Sequence, residues 1–268
     1  MRSSFKRSLL AVAASAAITF AGPLPDPPFA DGGFVPPDSI VYKQEYNVWK
    51  LIVKDGVYQV KCDIKALIDL QLAYEPNDAP KVQAVEEAWT ACHAKIDFKY
   101  GYYRDKLLLK GTPACLDQAG IDAIRAQVSS QITSLEGTVF CDGDAASPDP
   151  VTGFDIPDFK NEANGESAAA KVLLKVGTSV GKCYAKGVVY ALQFGGAIPP
   201  EVVAKIQACI AKYETYGNAK MSDLDQTQKL PTCLPLATAQ ATVSAVSDFA
   251  SSLTDDHWCA SLSGAFVD

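Results

Sequence analysis

The chain has 268 residues, of which 48% are hydrophobic, and its 31 acidic residues outnumber 24 basic residues to give a formal net charge of −7. No basic stripe offsets this acidity, which argues against nucleic acid or an anionic membrane surface as a partner.

The N-terminus has the three parts of a secretory signal peptide. Arg2, Lys6 and Arg7 form a positive segment, an apolar run reaches Phe20, and the small residue Ala21 ends a cleavage site. Removing residues 1–21 leaves 21 basic against 31 acidic residues, a net charge of −10. Residues 22–32 follow as a leader rich in proline and glycine. We therefore expect a secreted or periplasmic protein with no membrane span after signal removal.

Eight cysteines occur as two sets of four with nearly the same spacing, and none is left over. Successive gaps are 30, 23 and 26 residues in the first set and 26, 24 and 26 in the second. An even number behind a signal peptide predicts a disulfide framework, and the repeated spacing predicts a tandem duplication. The two sets are Cys62, Cys92, Cys115 and Cys141, and Cys183, Cys209, Cys233 and Cys259.

The duplication predicts a four-cysteine unit at residues 33–141 and another at residues 153–268, joined by a polar linker at residues 142–152. Each unit has an even number of cysteines, so we expect each to fold independently. The alternative is one continuous structure in which each repeat buries its apolar face against the other.

Each unit is predicted to contain three long helices. Apolar residues recur at steps of three and four from Val53 to Leu67, which places them on one helix face. The equivalent Gly56 and Gly177 predict a kink, a close helix crossing, or a break that would give four helices per unit. The predicted ranges are about 45–74 and 166–193 for the first helix, starts near 82 and 201 for the second, and about 117–136 and 236–253 for the third.

Amphipathic helices joined by short turns should pack as antiparallel bundles, so the predicted fold is all-α, with two tandem disulfide-stapled bundles. Cys62 and Cys92 each lie ~18 Å along their helices from the turn that joins them, which favours a bridge between them. A similar count favours Cys183–Cys209.

The remaining cysteines would then pair within their units as Cys115–Cys141 and Cys233–Cys259. A straight third helix would separate the members of each pair by ~30 Å. Either that helix is shorter than predicted, or the pairing is crossed.

Three local patterns occur in both units: Lys-Cys-x-x-Lys at residues 61–65 and 182–186, a Pro-x-Cys-Leu turn, and an aromatic residue before the last cysteine. These features resemble secreted bacterial proteins built from tandem four-cysteine helical repeats, for which no activity is known. The resemblance covers about residues 33–260 and implies no activity. The similar proteins often carry a further cysteine pair in each unit. Gln44 and Thr112 correspond to those places here, so the resemblance implies that this bridge is absent from the chain.

Both histidines lie near cysteines, which raises the question of a Cys/His metal site. His93 aligns with Ile210 and His257 aligns with Val139, so neither histidine is duplicated, and bridged cysteines offer no thiolate. We predict no metal site and interpret His93 as an ordinary helix-surface residue.

The acidic residues offer no better candidate. Asp142, Asp144 and Asp149 lack the spacing of a calcium-binding EF-hand loop and indicate a solvated linker. Glu86 and Glu87, near Trp89, are explained by an exposed helix face. Nucleophile, phosphate-loop, zinc-protease and dinucleotide motifs are missing from the sequence. We therefore predict no catalytic residue, no cofactor and no enzyme activity.

Aromatic residues cluster at Phe98, Tyr100, Tyr102 and Tyr103. Packing at a helix end explains them, and the alternative is a patch that binds a protein or an apolar ligand. The predicted function is an exported, non-catalytic structural or protein-interaction module with an unknown protein or cell-surface partner. The alternative is a carrier of a lipid or another apolar small ligand, which a cavity would favour.

Overall fold

A computed structural model describes residues 39–74, 78–112, 116–141, 159–193 and 200–258, and within these ranges it has six α-helices and no strand. The all-α prediction is confirmed. The predicted signal peptide, leader and linker lie outside the described residues. The helices are α1 (Ser39–Tyr74), α2 (Ala79–Leu108), α3 (Gln118–Val139), α4 (Phe159–Gln193), α5 (Pro200–Gln226) and α6 (Leu236–His257).

Local sequence signals explain where two of the helices begin. The Asp78 side chain accepts a hydrogen bond from Lys81 N at 3.2 Å, and a proline lies in the first turn of α2. The Asp117 side chain accepts from Gly120 N at 2.7 Å at the start of α3. Both aspartates satisfy backbone N–H groups that have no partner within the helix.

Gly56 and Gly177 are sites of close helix crossing. A Cβ added to Gly56 would lie 3.1 Å from Val128 Cγ1 of α3, and one added to Gly177 would lie 3.0 Å from Val246 Cγ1 of α6. Helices α1 and α4 continue through these glycines, so the alternative of four helices per unit is wrong. Within each half, the glycine allows the first helix to approach the third.

In each half, one bridge joins the first helix to the second, as predicted. The Cα–Cα distance is 6.2 Å for Cys62–Cys92 and 5.8 Å for Cys183–Cys209. Both distances fall in the range that a disulfide requires.

A third bridge, Cys141–Cys233, joins the two halves with a Cα–Cα distance of 5.4 Å. The predicted pairs Cys115–Cys141 and Cys233–Cys259 are therefore wrong. Helix α3 has 22 residues and a length of roughly 33 Å. Cys141 follows its far end, beyond the reach of the α2–α3 turn, and it meets the α5–α6 loop of the other half.

The main hydrophobic core also belongs to both halves. Ile64 and Leu67 of α1, with Val139 and Phe140 at the end of α3, pack in one cluster with buried residues of α4, α5 and α6. A smaller cluster around Leu116 and the N-terminal half of α1 has Leu253 of α6 packed against it. The main core and one bridge are thus shared, contrary to the expectation that each half is complete.

Cys115 and Cys259 lie outside the described residues. In the observed bridge the fourth cysteine of the first set pairs with the third of the second set. If the halves are equivalent, the counterpart is a bond between Cys115 and Cys259. We expect peptide mapping after alkylation under non-reducing conditions to recover this pair and no free thiol, and an unlinked Cys115 would contradict the prediction.

Gly165 gives a prediction about the contact between α4 and the α5–α6 loop. A Cβ at this position would collide with the backbone carbonyl oxygen of Lys229. The Gly165→Ala substitution should lower the free energy of unfolding by about 2–3 kcal/mol, because backbone must move. Gly101→Ala in α2 is the matched control: no atom lies within 4 Å of its added Cβ, so better helix propensity should raise stability by about 0.5–1 kcal/mol. Urea denaturation of both variants tests this contrast.

Candidate functional site

The first candidate site is an apolar cavity between the two halves. Its volume is about 180 Å³, and it is bounded by α1 and α3 of the first half and by α4 and α6 of the second. Its wall is formed mainly by aliphatic side chains, among them Val53, Val57, Val128, Leu135, Leu174 and Leu253.

The cavity opens to the protein surface, because several of its wall residues are only half-buried. Val53, Val57, Leu174 and Phe249 all belong to this group. Partly exposed apolar side chains that face a concave space are typical of a ligand site and not of a closed core.

One end of the cavity is closed by His257 and Trp258, whose rings make an edge contact with centroids 4.8 Å apart. His257 is 3% exposed, and its Nε2 lies 3.1 Å from the backbone oxygen of Glu45. Since a carbonyl oxygen only accepts, we infer that Nε2 carries the proton. Burial lowers the pKa of His257 to about 4, and the hydrogen bond to Glu45 only partly opposes this effect.

The buried imidazole predicts a loss of stability in mild acid. An unfolded histidine has a pKa of about 6.5, so between pH 6.5 and 4 the unfolded chain binds the additional proton. The free energy of unfolding should fall by roughly 3 kcal/mol over that window from this group alone. Urea denaturation at pH 7 and pH 4.5 should show a smaller decrease for His257→Gln than for the unaltered protein. Equal decreases would contradict the assignment.

A second concave site is a polar cleft formed by α1, α2 and α3 of the first half. At its base is Asp63, which is 4% exposed. Asp63 Oδ1 accepts a hydrogen bond from Trp89 Nε1 at 2.6 Å and lies 2.6 Å from His93 Nε2. The hydrogen bond to Asp63 raises the pKa of His93, against the opposing effect of burial. His93 is therefore a half-buried ion-pair partner, and its interpretation as an ordinary surface residue is wrong.

Arg125 of α3 occupies the middle of the same cleft. Its Nε donates to Asp55 Oδ2 at 2.8 Å, and its Nη2 donates to Asp97 Oδ1 at 2.6 Å. The guanidinium also lies over the Tyr100 ring, 4.1 Å from its centroid. These contacts tie all three helices of the first half together through charged groups.

The second half has an apolar core where the first half has this network. The first two cysteines of each set are related by offsets of 121 and 117, and the third helices by an offset of 118. With these offsets, six members of the network have an apolar or aromatic counterpart, whereas Asp97 corresponds to Glu214. All six of these apolar or aromatic counterparts are buried in the main core. The pairs are Asp55 and Val176, Gln59 and Val180, Asp63 and Tyr184, Trp89 and Ile206, His93 and Ile210, and Arg125 and Val243.

Two buried glutamates of α4 lie beside the Cys141–Cys233 bridge, and one of them, Glu166, joins the two halves. Glu166 is fully buried and accepts hydrogen bonds from Cys141 N at 2.8 Å and from Gln71 Nε2 at 2.6 Å. Glu162 accepts from the backbone and the hydroxyl of Thr232, next to Cys233. Helix α4 therefore begins earlier than predicted, because its first turns are anchored to the other half and to the α5–α6 loop.

This junction also has the composition of a metal site. Ligand atoms of Cys141, Glu162, Glu166 and Cys233 lie within 4.8 Å of one another. The two sulfurs are joined in a disulfide, however, and both carboxylates accept hydrogen bonds. We interpret the group as a structural junction in the oxidised protein. Asp142, Asp144 and Asp149 lie outside the described residues.

The aromatic cluster of α2 is divided between core and surface. Tyr100 is buried, whereas Phe98, Tyr102 and Tyr103 are 76%, 55% and 46% exposed. Packing at a helix end thus explains only Tyr100, and the other three form an exposed aromatic surface. Glu86 and Glu87 are exposed on α2, as predicted.

Comparison of the chain with protein-family models, curated proteins and solved structures gave no match. Among the described helices, none combines the length and the apolar character needed to cross a membrane. The cavity, the cleft and the exposed aromatic surface are the features of the described residues that indicate a function.

Proposed function

We propose that the protein binds a small apolar ligand, or the apolar part of a larger one, in the cavity between its halves. The observation that supports this proposal is the concave wall of aliphatic side chains from α1, α3, α4 and α6, open at the surface. An apolar cavity of roughly 150 Å³ in another protein stays dry and binds benzene. A cavity of about 180 Å³ is large enough for an aromatic ring or a short hydrocarbon chain.

The covalent structure supports a carrier that works outside the cytoplasm. The three disulfide bridges between described cysteines suit an oxidising compartment. Together with the predicted signal peptide at residues 1–21, they favour a secreted or periplasmic location. Bridges within each half and between the halves would also keep the cavity wall in place without a bound ligand.

Titration with N-phenyl-1-naphthylamine, a neutral apolar dye, tests the proposal. The unaltered protein should enhance the dye's fluorescence with one site per chain. Val57→Trp, which places a larger side chain in the cavity wall, should weaken binding at least tenfold. Val82→Trp is the matched control, since Val82 is also half-buried but lies on α2 outside the cavity. Equal affinity of the two variants would contradict the proposed site.

The exposed aromatic surface favours a second candidate function, a protein-interaction module. Phe98 and Tyr102 lie one turn apart on α2, and Tyr103 lies near Lys54 of α1, whose Nζ is 5.7 Å from the ring centroid. Aromatic residues are enriched at protein interfaces relative to the rest of the protein surface. A partner that binds the unaltered protein but not Phe98→Ser/Tyr102→Ser, and that still binds Val57→Trp, would favour this function over the carrier.

A further inference from the structure

The polar cleft of the first half adjoins the apolar cavity. Ile132 and Glu136, one turn apart on α3, line both spaces. The cleft has a volume of about 240 Å³. The two spaces therefore share a wall at these two side chains, and a ligand that occupies both must pass between α1 and α3 at this point.

The charged residues of the cleft determine whether a positive or a negative polar group binds there more favourably. Asp63 and Asp97 line the cleft, and Asp55 lies behind Arg125. Beside these three aspartates lie the guanidinium of Arg125 and the imidazole of His93. The formal charge of these five groups is −1 even when His93 is protonated, so a cation is attracted to this space and an anion is repelled.

Arg125, the one permanent cation among the described residues that line the cleft, is already engaged. Arg125 donates to Asp55 and to Asp97 and covers the ring of Tyr100. An anionic group would have to compete with two carboxylates for this guanidinium. The carboxylate of Asp97 accepts from Arg125 through Oδ1 but is 64% exposed, so a positively charged group can approach it from solvent, beside the indole of Trp89.

From this geometry we propose that the ligand is an amphiphile with a positively charged amine head. The head binds in the cleft near Asp97 and Trp89, and the hydrocarbon tail lies in the cavity. This inference rests on the proposed function, because it assigns the tail to the cavity described above.

The difference between the halves defines which end of the cavity holds the head group of the ligand. The positions that correspond to Asp63, His93 and Arg125 hold Tyr184, Ile210 and Val243, which are buried in the main core. The second half therefore has no polar cleft at these positions, and the cavity has a single head site beside it. One amphiphile should bind per chain, with its head toward α2.

Calorimetric titration of the full mature protein with octylammonium, octanol and octanoate tests the inference. The three probes share one tail and differ in the charge of the head. Octylammonium should bind at least tenfold more tightly than octanol, a difference of about 1.4 kcal/mol, and octanoate should bind most weakly. In an NMR spectrum, octylammonium should also shift the indole N–H signal of Trp89, which donates to Asp63.

Asp97→Asn should abolish the preference for octylammonium and leave octanol binding unchanged. Asp105→Asn is the matched control, because Asp105 is another exposed aspartate on α2 that pairs with an arginine, outside the cleft. Equal affinity for octylammonium and octanol, tighter binding of octanoate, or an unchanged preference in Asp97→Asn would overturn the amine assignment and leave the carrier intact. Failure of all three probes to bind would overturn the carrier as well.

Discussion

Residues 33–141, expressed without the rest of the chain, should fail to form a stable helical domain, although the cysteine pattern suggests that they form a complete unit. In the whole protein, Ile64, Leu67, Val139 and Phe140 are buried in a core shared with α4, α5 and α6. The isolated half would expose these four side chains. It would also leave Cys141 without its partner Cys233.

The size of the effect follows from the buried apolar groups. Burial of one large apolar side chain stabilises a protein by about 1.5–3 kcal/mol, so four of them contribute roughly 6–12 kcal/mol as an upper estimate. That range is comparable to the entire stability of a typical domain, about 5–15 kcal/mol. We expect circular dichroism of the isolated half to show reduced helicity and no cooperative thermal transition.

Co-expression of residues 33–141 and 153–268 as separate chains is the appropriate control. The two fragments together supply the shared core and both ends of the Cys141–Cys233 bridge. They should be recovered as a disulfide-linked pair that melts cooperatively. A monomeric first half with a sharp thermal transition would show instead that the sequence-based expectation of independent units was right.

The sequence predicted the helices and two bridges because these features depend on local chain geometry. Prolines and capping aspartates fix the starts of α2 and α3. Cys62 and Cys92 lie at equal heights beside a single turn, so pairing them needs only the rise per residue. The Cys141–Cys233 bridge depends instead on how two halves meet, which local geometry does not define. The ~30 Å length of the third helix was the one signal that the remaining pairs had to cross.

The polar cleft could have been found in the sequence by reading the duplication for its differences. His93 looks unimportant when only the features common to both halves are considered, because Ile210 occupies the equivalent position. The same alignment sets Asp63 against Tyr184 and Arg125 against Val243. Charged residues in one copy of a duplicated unit, at positions where the other copy has buried apolar residues, indicate a specialised site.

The sequence indicates the burial of two glutamates only weakly. Glu45 and Glu166 share the offset of 121 that relates Cys62 and Cys183, and both are almost inaccessible to solvent. Near the start of a predicted helix, an acidic residue is ordinarily read as an exposed, favourable charge. No pattern in the sequence predicts the cavity, because its volume depends on how closely the side chains of α1, α3, α4 and α6 pack against one another.

Replacement of both Cys141 and Cys233 by alanine should lower the free energy of unfolding by about 4 kcal/mol. The bridge spans 92 residues, and the Cys183–Cys209 bridge inside this loop shortens the covalent path to about 66 residues. A crosslink that closes a loop of that size restricts the unfolded chain by roughly 4 kcal/mol in the chain-entropy model. The loss would amount to between about a quarter and most of a typical domain's stability.

Urea denaturation of the double variant measures this loss, and far-ultraviolet circular dichroism checks that the folded state keeps its helices. Cys62→Ala/Cys92→Ala is the matched control, because that bridge spans only 30 residues within one half. On the entropy model the control should lose less stability, by under ~1 kcal/mol, since the dependence on loop length is logarithmic. A loss below ~1 kcal/mol in Cys141→Ala/Cys233→Ala would mean that the shared core alone fixes the halves. A larger loss in the control would mean that contacts within the first half, and not the crosslink between the halves, dominate the stability.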